Sequence, residues 1–138
     1  MSIFKKRILE LVRPPKRETF NISDRQGLKR LFQLRVGLSP LKSHKHNHNF
    51  NDIINDTCSC GLGSETSQHF LTQCPNYNLI RIDLLEKVKT ILRTNDINFD
   101  ATNLVHLLLY GHNDLNHSDN RKILEYTIKF IAHSGRLN

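Results

Sequence analysis

The cysteines of this chain are confined to one short stretch, "DTCSCGLGSETSQHFLTQCP", which spans residues 56–75. The side chains in it with metal-binding chemistry follow the pattern Cys-x-Cys-x8-His-x4-Cys and are Cys58, Cys60, His69 and Cys74. Three thiolates and one imidazole make a complete donor set for a tetrahedral zinc ion. The pattern therefore predicts a structural zinc site with no open coordination position, rather than a catalytic thiol.

The residues around these donors are typical of a tight turn followed by a short helix. Gly61 and Gly63 permit a sharply folded backbone after the first two cysteines. Either Ser64 or Thr66 is suited to cap a short helix "SQHFLTQ", and Pro75 is expected to end that helix directly after the last cysteine. We expect the turn and the helix together to bring the four donors to one ion.

Other interpretations of these and nearby residues remain open. Free cysteine is among the most buried residue types, so the three thiols can instead be small core side chains, with the histidine on the surface. A second run, "SHKHNHNF", offers His44, His46 and His48 at alternate positions. An extended backbone would align them as a chelate, and His48 is an alternative zinc ligand. However, Ser39-Pro40 predicts a helix start, which favours a solvated or phosphate-facing segment.

Composition and cysteine count indicate the class of protein. With 138 residues and 38% hydrophobic content, the chain is expected to form one domain around one core. An odd number of thiols cannot close a disulfide framework, so we expect an intracellular protein of the cytoplasm or nucleus. The longest apolar runs, such as "LVHLLLY" at 104–110, are far shorter than the ~20 residues that a bilayer requires, so no membrane partner is expected.

Charge is distributed unevenly along the chain. Residues 1–49 carry twelve Lys/Arg against three Asp/Glu, a net +9, whereas residues 50–138 carry eight against ten, a net −2. A basic half attracts polyanions through counterion release, so nucleic acid is the predicted partner, although a merely solvated surface is an alternative. The candidate phosphate-contacting residues are Arg25, Lys29, Arg30, Lys42 and Lys45.

One helix is predicted within this basic half, over "DRQGLKRLFQLRV". Ser23 and Gln26 have the spacing of a capping box at its start, and Gly37 is suited to end it. Its inward-facing residues are Leu28, Leu31 and Leu34. Arg35 lies seven residues after Leu28 and therefore falls on the apolar face. We expect Arg35 to organise the fold by binding a carboxylate or a backbone carbonyl, and to contact phosphate only secondarily.

The back half has the periodicity of core helices. "YNLIRIDLLEKVKTILR" and "DNRKILEYTIKFIA" each keep their apolar residues on one face. "NLVHLLLYG" is apolar nearly all round, which predicts a central buried helix that ends at Gly111 and carries His106 as a core histidine. With almost no alternating strand pattern, we expect a mainly α domain with an inserted CCHC zinc knuckle. The apolar faces of this half are not expected to include the knuckle.

Several of these segments together resemble the C-terminal zinc-knuckle region that follows the reverse transcriptase in the polyproteins of non-LTR retrotransposons. The resemblance runs from "FNISDRQGLKRLFQLRVGLSPLKSHKHNHNF" through "CSCGLGSETSQHFLTQCPNY" to "LLLYG" and "ILEYTIKFI". It implies that Cys58, Cys60, His69 and Cys74 are the zinc ligands. The family's polymerase palm, endonuclease and RNase H motifs have no counterpart in this sequence, so the chain looks like a detached tail of such a polyprotein.

The resulting prediction is one domain in four segments: a basic amphipathic lead-in or linker (1–18), a basic helical segment (19–55), the CCHC knuckle (56–77) and a helical bundle segment (78–138). We expect a non-enzymatic module that binds Zn²⁺ and nucleic acid and takes no small-molecule substrate. The alternatives are a structural module that packs on a reverse transcriptase domain, and a non-functional remnant of a mobile element. Phe70 and Tyr77 fit either use, by stacking on bases or by fixing the knuckle to the core.

Overall fold

A computed structural model of the chain describes residues 22–48 and 55–138, and within these ranges the protein is mainly helical and contains no strand. The helices are α1 (Arg25–Val36), α2 (Lys42–Asn47), α3 (Asn78–Thr94), α4 (Leu104–Tyr110) and α5 (His117–Ser134). Shorter turns are the π-helical His69–Gln73 and the 3₁₀-helical Pro75–Tyr77 and Ala101–Asn103. The mainly α prediction is confirmed. The predicted lead-in, residues 1–18, lies outside the described residues.

Helix α5 is the centre of the packing, because α1, α3 and α4 all contact it. The predicted periodicity of α5 and α3 is confirmed, since one face of each helix is buried. The buried apolar residues of these faces are Ile123, Leu124, Ile128, Phe130 and Ile131 on α5, and Leu84, Val88 and Leu92 on α3. Helix α4 buries all four of its leucines but is not the central helix, because α5 contacts more of the fold.

The start of α1 differs from the prediction by one residue. Asp24, not Ser23, is the N-cap, and its side chain accepts a 2.8 Å hydrogen bond from the Gly27 N–H. The predicted capping box at Ser23 is therefore wrong. The helix begins one residue later, so the Asp24 carboxylate can reach an unpaired N–H of the first turn. The predicted end is confirmed: Gly37 has φ +76°, a left-handed conformation that favours glycine.

Of two polar side chains predicted to face the core, Arg35 is packed there and His106 is not. Arg35 donates a 2.6 Å hydrogen bond to the Leu109 carbonyl and lies over the rings of Phe32 and Tyr110, which confirms its role as a fold organiser. Burial lowers the pKa of Arg35 to about 10. His106, by contrast, is exposed and stacks on Tyr110. Its assignment to the core was wrong because α4 is buried on one side only.

Across residues 22–48 and 55–138, no helix has both the length and the apolar character needed to cross a bilayer.

Candidate metal centre

The first two cysteines lie in a tight hairpin. Thr57 and Ser64 pair as an isolated antiparallel bridge, and between them the Cys58 N–H donates to the Gly63 carbonyl at 2.8 Å. Gly61 has φ +79° and Gly63 has φ +143°, conformations that a residue with a side chain rarely adopts. Cys58 and Cys60 therefore lie in a hairpin with a sharply folded tip, as the two glycines predicted.

The histidine and the third cysteine come from the π-helical turn. Thr66 Oγ1 accepts a 3.0 Å hydrogen bond from the His69 N–H, so Thr66 rather than Ser64 caps the turn. The Cys74 N–H then bonds the His69 carbonyl at 2.7 Å, five residues back, which widens the turn. Pro75 follows at once and begins the next turn. These bonds fix His69 and Cys74 at the two ends of one short element.

The four side chains, named here the Cys/His cluster, converge on one point. Their ligand atoms all lie within 4.8 Å of one another. Cys58 Sγ is 3.7 Å from Cys74 Sγ, and Cys60 Sγ is 3.2 Å from His69 Nε2. A tetrahedral zinc ion with bonds of about 2.3 Å to sulfur and about 2.0 Å to nitrogen needs donor separations of roughly 3.5–3.8 Å. The Cys58–Cys74 separation falls in this range, the Cys60–His69 separation is shorter, and the widest separation in the cluster reaches 4.8 Å, so the four side chains lie close enough together to bind a metal ion.

Burial separates this arrangement from the alternative of core cysteines with a surface histidine. Cys58, Cys74 and His69 are buried, with His69 only 5% exposed, and Cys60 is half-buried. A buried imidazole whose nitrogen faces a thiol is not a surface side chain. The surface histidine of that alternative is therefore wrong, whereas the burial that it expected is observed for Cys58 and Cys74 and only in part for Cys60.

The protein environment lowers the pKa of one thiol of the cluster and raises the pKa of another. The Leu62 N–H, 3.4 Å from Cys60 Sγ, lowers the pKa of Cys60 because it stabilises the thiolate. Burial raises the pKa of the Cys74 thiol to about 11. A metal ion at the cluster would compensate for the buried negative charge, since coordinating thiols are deprotonated by the metal.

Arg81 of α3 is buried and contacts the backbone that carries the cluster. Its guanidinium donates to the carbonyl oxygens of Phe70 and Leu71 at 2.9 Å and of Cys74 at 2.8 Å. These carbonyls belong to the end of the π-helical turn, where intrahelical donors are missing. One side chain thus satisfies three backbone groups that position two of the donors. Sequence reasoning missed this residue.

Aromatic packing fixes the cluster to the helical core. Phe70 is 0% exposed, and its ring centroid is 5.4 Å from that of Phe130 on α5 and 5.2 Å from that of Tyr77. Leu71 is buried in the same core. Phe70 is therefore inaccessible to a base, and the expectation that the apolar faces of the back half exclude the knuckle is wrong. The reason is that the π-helical turn carries two of the core's own side chains.

Glu65 forms a second anchor on the other side of the hairpin. Its carboxylate accepts from the Lys42 N–H and from Arg136 Nε, each at 2.8 Å, while Arg136 also donates to the Pro40 carbonyl at 3.1 Å. Burial acts to raise the pKa of Glu65, but the hydrogen bonds from Arg136 and Lys42 outweigh it and lower the pKa. The hairpin, the start of α2 and the C-terminal residues are thereby joined, and no sequence pattern predicted this link.

The histidine run does not form a chelate. His44 Nδ1 lies 2.6 Å from Ser39 Oγ, and its Nε2 lies 3.4 Å from Ser67 Oγ. His48 Nε2 donates to the Gly37 carbonyl at 3.3 Å, and His46 is exposed. Helix α2 directs the three rings differently, as predicted, but it begins at Lys42 with Leu41 as its N-cap and not at Ser39-Pro40. In the described part of the chain, the Cys/His cluster is the group found with metal-binding geometry.

The predicted phosphate-contacting residues divide by exposure. Arg25 and Lys29 are exposed one turn apart on α1. Arg30 is only half-buried, yet its Nε is buried and has no hydrogen-bond partner within the described ranges. Lys42 and Lys45 are half-buried on α2, and Lys45 borders a cavity between α1 and α2. The exposed pair on α1 is thus the part of the set most open to a partner.

The chain matches no protein-family model, no curated protein and no solved structure. The resemblance to retrotransposon zinc knuckles therefore stays a hypothesis. What the structure establishes is a compact Cys3His cluster, docked on a helical core, that could hold a metal ion.

Proposed function

We propose that the chain is a non-enzymatic module that binds one structural zinc ion through Cys58, Cys60, His69 and Cys74 and binds nucleic acid through the basic surface of α1 and α2. The observation that carries this proposal is the convergence of the four donors within 4.8 Å. The relationship to the tail of a retrotransposon reverse transcriptase is part of the proposal and rests on the sequence resemblance.

Zinc is the proposed metal because of the donor types. Three thiolates and an imidazole are soft ligands, typical of structural zinc and unlike the oxygen ligands that magnesium or calcium require. Four protein ligands complete the tetrahedron and leave no position for a substrate or an activated water. We therefore assign the ion to fixing the hairpin and the π-helical turn, and we assign no catalytic role to the cluster.

Nucleic acid is the proposed partner because of the charge. The chain has a formal net charge of +7, and the surplus comes from its first 49 residues. Within the described part of that half, Arg25 and Lys29 are exposed on one side of α1. Cations at this spacing suit phosphates along a strand, and phosphate contacts supply affinity without sequence preference.

One observation favours a second candidate, a structural module that packs on another protein domain such as a polymerase. Leu79 and Ile82 project from α3 and are 86% and 56% exposed. Because they lie three residues apart on one helix, they form a small apolar patch of the kind that contact surfaces carry. In this alternative the basic surface would only aid solubility, and the chain would bind nucleic acid weakly or not at all.

A salt titration of nucleic-acid binding separates the two candidates. The variant Arg25→Ala/Lys29→Ala removes the exposed pair on α1, and Lys122→Ala/Lys129→Ala removes two exposed charges from α5 as a matched control. We expect the first variant to weaken binding to all sequences alike and to reduce the slope of log K against log salt by roughly one to two units. The control should leave both quantities unchanged.

Two results would contradict the proposal. Equal losses from both variants would indicate diffuse attraction without a defined face. Absence of binding at low salt, with the metal bound, would leave the structural module as the better account.

A further inference from the structure

A small cavity of about 240 Å³ lies between the C-terminal end of α1 and helix α2. It is lined by Gln33, Leu38, Pro40, His44, Lys45 and His48. Pockets for drug-sized ligands begin near ~300 Å³, so this one suits a single flat ring system rather than a larger molecule. Neither the Cys/His cluster nor the Arg81 contacts form part of it.

Its walls combine two aliphatic side chains with a histidine ring that is held in place. Leu38 is 57% exposed on one side, and Pro40 lies two residues further along the chain. The His44 ring is fixed from both ends, because Nδ1 accepts from the Ser39 N–H at 3.2 Å and Nε2 faces Ser67 Oγ. Burial, with a contribution from His48, lowers the pKa of His44, which favours a neutral ring. A neutral imidazole and two aliphatic side chains form a surface against which a base can stack.

Two of the polar residues that line the cavity, Gln33 and Lys45, carry groups that can bind a nucleotide. The side-chain amide of Gln33 carries both a donor and an acceptor, as the edge of an unpaired base requires. Gln33 also follows Arg25 and Lys29 at successive four-residue steps, so the three residues form one row along α1 that leads into the cavity. Lys45 borders the same cavity from α2.

We infer that this cavity receives one unpaired base of a single-stranded nucleic acid, while Arg25 and Lys29 contact the phosphates of the adjoining nucleotides. The inference rests on the proposed nucleic-acid binding and adds to it a preference for single strands over duplex. In a duplex the bases are stacked and paired, so none can enter the cavity without being extruded. Stacking in such a site is tolerant of sequence, because every base has a flat face.

The test compares Gln33→Ala/Leu38→Ala with the matched control Gln26→Ala/Leu79→Ala. The control removes the same residue types from exposed positions away from the cavity and the Cys/His cluster, where Leu79 is 86% exposed. The metal-loaded chain is titrated with a short single-stranded RNA, the same sequence as single-stranded DNA, its duplex, and a strand whose bases are replaced by abasic sites. Circular dichroism checks that each variant is folded.

We expect the cavity variant to lose about tenfold in affinity for both single strands, the usual effect of one stacked base, with no change for the duplex or the abasic strand. The control should bind every probe as the native chain does. Salt-dependent binding that is equal for single strand and duplex, and unaffected by the cavity variant, would overturn the inference while leaving the proposed function intact. Binding to none of the probes would overturn both.

Discussion

The guanidinium of Arg81 donates a 2.8 Å hydrogen bond to the carbonyl oxygen of Cys74, the last donor of the Cys/His cluster. The same guanidinium bonds the Phe70 and Leu71 carbonyls, so helix α3 holds the π-helical turn from below. A buried cation that satisfies three backbone acceptors couples the geometry of the cluster to the helical core. The metal site and the fold are thus expected to gain or lose stability together.

Replacing Arg81 by alanine should therefore destabilise the whole chain. The change leaves three buried carbonyls without donors, which we expect to lower the free energy of unfolding by about 2–4 kcal/mol. Arg93→Ala, on the exposed side of the same helix, is the control and should change it by less than about 0.5 kcal/mol. Urea denaturation of both variants in their metal-loaded form measures the difference. An Arg81→Ala chain as stable as the control would show that the contacts carry little energy.

Loss of Glu65 should alter how stability depends on pH. Its pKa is lowered in the folded chain relative to the ordinary value of 4.5, because the bonds from Arg136 and Lys42 outweigh the effect of burial. At pH 4 the unfolded chain therefore binds more protons at this site than the folded chain. The contribution is fully present above pH 4.5 and is lost as pH falls through the lower, folded pKa.

Glu65→Gln should remove that part of the acid dependence. We expect the variant to be less stable at pH 7, by about 1–3 kcal/mol because the pair is only partly buried, and the difference from the native chain to shrink as pH falls below 4.5. Thermal unfolding of the metal-free chain between pH 7 and pH 3 measures both, and avoids proton release by the metal ligands. A difference that stays constant over this range would mean that the Glu65 contacts do not depend on its charge.

Local patterns in the sequence predicted the helices and the donor set well. Three features depend only on residues within one element or one short loop. They are the helical periodicity of apolar residues in α3 and α5, the glycine that ends α1, and the spacing of the four donors. Such features are visible because their physical causes, periodic burial and tight turns, act between near neighbours in the chain. The division of the chain into four segments has not been tested and stays a prediction.

The contact between Glu65 and Arg136 was not predicted because the two residues are distant in the chain. Glu65 lies in a polar loop, and its partner Arg136 is 71 residues away, so no local pattern joins them.

The role of Arg81, by contrast, was predictable from the sequence. Arg81 lies three residues before Leu84 and seven before Val88, on the buried face of α3, just as Arg35 lies on that of α1. A cation on an apolar face indicates a buried hydrogen-bonding role, so the reasoning that predicted the role of Arg35 extends to Arg81.

The zinc content of the purified chain tests the central claim most directly. Elemental analysis of protein prepared without chelator should find one zinc ion per chain, and none in Cys58→Ser/Cys74→Ser, which removes two facing thiolates 3.7 Å apart. Ser59→Ala, an exposed position between the first two cysteines, should retain the ion. A native chain without zinc, or a full complement of metal in the double variant, would contradict the account.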